Sequence, residues 1–132
     1  MSKLLSTPPT CLYNIMMLKF LLSILFQMAY FQIADAIEAS SIRAISLEDA
    51  HRHNNLSLLE HFKTTTVILG VVAIAKSRIE TVEEITDRLQ AALNHIDANR
   101  LLVAPDCGLG FLNRELALAK LENMVKAAKA VG

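Results

Sequence analysis

The chain has 132 residues, enough for one domain with a modest core, and its 13 basic side chains balance 13 acidic ones. A neutral chain without a basic run gives no electrostatic reason to expect a nucleic-acid partner. Its two cysteines, Cys11 and Cys107, stand in unrelated surroundings and make no disulfide framework, so a reducing, cytoplasmic setting is the expectation.

The N-terminal stretch "NIMMLKFLLSILFQMAYF" is strongly apolar and broken only by Lys19. Its uninterrupted piece, Phe20 to Phe26, is too short to span a bilayer. It has the length of a signal-peptide hydrophobic region, and Ala34-Asp35-Ala36 loosely mimics a cleavage site. Positive charge is sparse and two prolines intervene, so an ordinary apolar helix packed on the rest is favoured. Membrane association through residues 15–26 stays open.

From Ala29 onward the pattern is regular. Phe31, Ile33, Ala34 and Ile37 are spaced for a helix face. "IRAISLE" reads as a short buried strand over Ile42 to Leu47, ending at Glu48. "NNLSLLEHF" is a short helix with Asn54 or Asn55 as N-cap and Leu58 and Phe62 on one face. "TTTVILGVVAIA" is β-branched and apolar without alternation, which predicts a strand covered on both faces. Thr81 and Glu84 form a capping box, and Val82, Ile85, Leu89, Leu93 and Ile96 trace the apolar face of the helix behind it. Leu101 to Ala104 is a third strand stopped by Pro105. A closing helix follows, with Leu118, Leu121, Val125 and Ala128 predicted to face the core.

Strict alternation of helices and strands implies an α/β fold with parallel strands and right-handed crossovers. Two architectures fit: a small doubly wound sheet, or a piece of a (β/α)8 TIM barrel. A whole barrel needs roughly 250 residues, so three strands are an incomplete one with open edges.

In either architecture functional side chains gather at the C-terminal ends of the strands. Glu48 ends the first strand, Ala75 follows the second and Cys107 follows the third. The first and third strands stand roughly 10 Å apart as next-but-one neighbours. A carboxylate and a thiolate converging there suit zinc, which accepts both S and O ligands. Around Glu48, "LEDAHRHNN" also offers Asp49, His51 and His53. A metal or acid–base role for the histidines competes with a plain polar loop in which Asp49 and both histidines are solvated. For Cys107 an inert thiol, a nucleophile needing a histidine base, and a metal ligand are the three readings. His95, near a helix end, reads as a surface residue or a partner of the helix dipole.

The segment "RLLVAPDCGL", followed by "KLENMVKAAKAV", resembles the end of cobalamin-independent methionine synthases. The resemblance extends upstream through "AISLEDAHRHNNLSLLEHF" and covers roughly Tyr30 to Ala130, with the short single-barrel members most alike. It implies a catalytic zinc held by a His-x-Cys pair, a glutamate and a cysteine. On that reading Glu48 matches the glutamate and Cys107 the last cysteine. It also implies homocysteine as acceptor, with methyltetrahydrofolate or a corrinoid as methyl donor, and methionine as product.

Two departures stand out. The His-x-Cys pair has no counterpart, and Ala75 takes the place of a histidine implicated as an acid, leaving His51 or His53 as candidate proton donors. The expected division is therefore an apolar segment, 1–28, followed by the C-terminal portion of a methionine-synthase-like barrel, 29–132. Such a chain is expected to be truncated, and weakly stable and inactive as an isolated monomer. Activity would need self-association or a partner chain that completes the barrel. The alternative is a non-catalytic remnant or interaction module.

Overall fold

The computed structural model describes Ile24, Leu25 and residues 28–132. Cys11 and most of the apolar stretch at 15–26 lie outside the described residues. Among the described residues no helix is long and apolar enough to cross a membrane.

Residues 28–38 form helix α1, followed by strand β1 (Ala44–Glu48), a 3-10 turn (Leu56–His61) and strand β2 (Thr66–Val72). Helix α2 (Val82–Leu93), strand β3 (Leu101–Pro105) and helix α3 (Arg114–Val131) complete the chain. The strands pair in parallel in the order β1-β2-β3, with Glu48 opposite Gly70 and Gly70 opposite Ala104. A bulge between Gly70 and Val72 shifts the register at the end of the sheet.

One hydrophobic cluster holds the fold together. Leu47, Val67, Leu69 and Val71 line one face of the sheet and pack with Leu58, Leu59, Phe62, Ile85, Leu89, Met124 and Ala127. The other face carries Ala44, Ser46, Glu48, Thr66, Ile68 and Leu102, which are exposed or half-buried. Among the described residues, helices over a single sheet face make a section of barrel wall, not a doubly wound sheet, which needs helices on both. The expectations that β1 is buried and β2 covered on both faces are thereby corrected. Their apolar runs do fill the core, but only through alternate residues.

Helix α1 docks through polar contacts as well as through buried Ala34. Asp35 Oδ1 lies 2.7 Å from His61 Nδ1, and the Phe31 ring meets the His61 ring edge-on. Glu38 accepts from the Thr64 amide and hydroxyl and from the Thr65 amide. Ala34-Asp35-Ala36 thus lies inside a docked helix. Ile33 is 52% exposed and falls off the expected apolar face.

Helix α2 starts as its sequence dictates. Thr81 and Glu84 exchange the two capping-box bonds, and Ile85, Leu89 and Ala92 are buried. Helix α3 differs from expectation. Leu118 and Val125 are exposed, while Lys120, Met124 and Ala127 face inward. The reason is Lys120, whose ammonium donates to the Ala73 and Arg78 carbonyls and to Glu80 Oε2 at 2.9 Å. A lysine with all three donors satisfied can be buried, and this one turns the helix to a face that apolar spacing alone does not predict.

Candidate functional site

The three strands deliver their loops to one rim, and a single carboxylate organises it. Asp106 directly follows β3 and is buried. Its Oδ1 accepts from the amides of Asp49 and Ala50 at 3.0 Å, and its Oδ2 from the His51 amide at 2.8 Å and His51 Nδ1 at 2.6 Å. Four donors on one carboxylate tie the loop after β1 to the end of β3. The carboxylate reaches them by lying over Gly70 of β2, where a β-carbon would come within 2.2 Å of Oδ1. Glycine is required there by close approach, not by backbone angle.

That scaffold brings Glu48 and Cys107 together. The Cys107 thiol donates to Glu48 Oε1 at 2.8 Å, and both side chains are exposed at the rim. Glu48 therefore sits in solvent beside a partner and carries no cost of unpaired burial. The hydrogen bond to Glu48 is the main cause holding the Cys107 thiol above its ordinary 9.0. Desolvation and the negative charges of Glu48 and Asp106 act in the same direction.

The histidines divide. His51 is fixed at both ring nitrogens, because Nε2 accepts from the Ala75 amide at 3.0 Å while Nδ1 faces Asp106. His53 is largely exposed, with Nδ1 3.7 Å from Asp49. Asp49 is not solvated: it is fully buried and takes a two-point ion pair from Arg88, through Nε at 2.6 Å and Nη2 at 2.8 Å. It also accepts from the Asn54 amide, so the N-cap of the next turn is Asn55. His95 lies 2.6 Å from Glu60 Oε1, a side-chain partner in place of the helix dipole.

Sequence reasoning missed Asp106, Gly70, Lys120, Glu80 and Arg88. An acidic residue between a strand-ending proline and Cys107 was the available signal for Asp106. Nothing local marks the others, whose partners lie on distant elements. Among the described residues no group of three or more His, Cys, Asp or Glu is arranged to hold a metal ion. Glu48 and Cys107 are donors of the kinds zinc takes, but they are two, and a catalytic zinc takes at least three protein ligands. This chain's described donors alone do not fit a catalytic zinc.

The chain is similar to known proteins over most of its length. The family described as the catalytic domain of cobalamin-independent synthase matches residues 25–130. The chain belongs to the cobalamin-independent methionine synthase family. It is 36% identical over 103 residues to a methionine synthase of Pyrococcus abyssi, covering 77% of this chain and 30% of that protein. It is also 36% identical to a 5-methyltetrahydropteroyltriglutamate–homocysteine methyltransferase of Listeria innocua, covering 75% of this chain and 13% of that protein. A B12-independent methionine synthase of Shewanella sp. W3-18-1, solved in complex with selenomethionine, superposes with a TM-score of 0.73 at 32% identity. The match covers 77% of this chain and 30% of that one. The chain thus spans under a third of the length of these family members.

Proposed function

We propose that this chain carries the Glu48–Cys107 half of a zinc site for methyl transfer to the thiol of homocysteine. The observation behind the reading is the 2.8 Å approach of a thiol and a carboxylate from strands separated by β2, on a rim built to hold them there. Residues 29–132 are the C-terminal barrel portion in this reading, and 1–28 stand outside it. The missing donors would come from a partner chain of different sequence that continues the sheet. Zinc supplies a lowered thiol pKa to a substrate that it binds. This chain's own contribution is to hold one sulfur and one oxygen donor in place and to keep the loops around them fixed. The methyl donor, methyltetrahydrofolate or a corrinoid, would enter from the barrel mouth.

The test is zinc content after metal loading, measured for the wild type, Cys107→Ser and Glu48→Gln, each alone and mixed with the upstream barrel portion of a relative. Zinc retained only in the mixture, and lost in both variants, supports the reading. Zinc binding indifferent to both substitutions sinks it. Methylation of homocysteine with each donor then distinguishes the donors.

A second reading is favoured by the bare sheet face. Leu102 is 54% exposed, Phe111 beside the rim is 94% exposed, and among the described residues β1 and β3 each leave an open edge. A non-catalytic module that associates through this face would form stable complexes with the upstream portion without binding zinc.

A further inference from the structure

Among the described residues, His51 is the one side chain that joins the loops after all three strands, and its two ring nitrogens do different jobs. Nδ1 points at the Asp106 carboxylate, which can only accept, so Nδ1 carries the proton. Nε2 points at the Ala75 amide, which can only donate, so Nε2 is bare. We propose that His51 is a positioning residue, locked as the neutral Nδ1–H tautomer, that hangs the segment between β2 and α2 from Asp106 at the rim.

The surrounding contacts explain why that segment needs such a tether. Residues 73–80 leave β2 and are pinned at their far side by Lys120, which donates to the Ala73 and Arg78 carbonyls, and by Glu80, which accepts from the Ala73 amide at 3.0 Å. Those bonds hold the ends of the segment. Ala75, between them, is exposed, and the bond from its amide goes to His51. The ring is therefore what fixes the middle of the segment relative to Asp106, and hence to the adjacent Cys107. Both ring nitrogens are used, so His51 is neither a metal ligand nor a free acid–base group. This assignment does not depend on zinc or on methyl transfer.

The test separates the two nitrogens in the full chain without metal. Long-range 1H–15N NMR of the His51 ring should show a protonated Nδ1 and an unprotonated Nε2 at neutral pH. Adding zinc alone should leave the Nε2 signal unchanged. Amide exchange at Ala75 is the second readout. An asparagine places its amide group near the Nδ1 position, whereas a glutamine can place its carbonyl oxygen near the Nε2 position. Exchange should quicken by about threefold to tenfold in His51→Ala and His51→Asn, the weight of one ordinary hydrogen bond, and return to the wild-type rate in His51→Gln. An Nε2–H tautomer, a zinc-dependent shift of Nε2, or equal Ala75 exchange in all variants would each overturn the proposal. The tautomer is read on the wild type, so a variant that fails to fold leaves the test intact.

Discussion

Asp106 lies across Gly70 so closely that a β-carbon on the glycine would stand 2.2 Å from the carboxylate and 2.9 Å from the Asp106 backbone. The obstacle includes main chain, so no side-chain rotation relieves it. Gly70→Ala must push β2 and the end of β3 apart or eject the carboxylate from its four donors. We expect a loss of about 1–3 kcal/mol in urea unfolding, the usual cost of overpacking. A neutral Gly70→Ala variant would show that the rim is softer than its contacts imply.

Lys120 and Glu80 form a buried ion pair at 2.9 Å, with the lysine fully out of solvent. Removing one member leaves the other charge unpaired and strands two carbonyls. Lys120→Met should cost about 3–5 kcal/mol, and thermal melting is the direct measure. The double variant Lys120→Met, Glu80→Gln should recover part of that loss. Equal damage in the single and double variants would assign the effect to packing and not to charge.

Glu38 is held well below its ordinary value, from 4.5 to about 2, first by the hydrogen bond from the Thr64 side chain and then by further bonds from Thr64 and Thr65. A carboxyl with a depressed folded pKa stabilises the protein above the unfolded value and ceases to do so as pH falls through the folded one. The gap in melting temperature between the wild type and Glu38→Gln should therefore be full at pH 6 and close progressively between about pH 4.5 and 2. A gap independent of pH would mean that the Glu38 carboxyl is not held below its ordinary value in solution.

Glu48 keeps the Cys107 thiol protonated by accepting its hydrogen and by its own charge. The glutamine variant removes the charge and weakens the acceptor. Alkylation of Cys107 by iodoacetamide at pH 8 should then quicken, because the thiolate is the reactive form. Glu48→Asp should stay slower than Glu48→Gln because it keeps the charge. An unchanged rate in Glu48→Gln would show that the pair is not formed in solution.

Much of the fold was legible in the amino-acid order. The capping box at Thr81 and Glu84, the apolar face of α2, and three parallel strands, the first ending at Glu48, are local patterns, and local patterns are what sequence carries; the second strand stops at Val72, short of Ala75 where its apolar run ends. That Glu48 and Cys107 share one rim was also legible, because the C-terminal ends of parallel strands lie on the same side of the sheet and the Pro-Asp-Cys-Gly segment marks one of them. What stayed hidden depends on residues far apart in the chain. Whether helices cover one sheet face or two is not written in any single element. The inward turn of α3 rests on Lys120 finding acceptors some forty residues away, at Ala73, Arg78 and Glu80. The sequence left His51 open between a metal or acid–base role and a solvated loop; the fold sets Asp106 against one ring nitrogen and the Ala75 amide against the other. Periodicity decides which residues are apolar and where elements begin. Tertiary structure decides which polar groups meet, because a buried charge is stable only where its partners arrive from elsewhere in the chain.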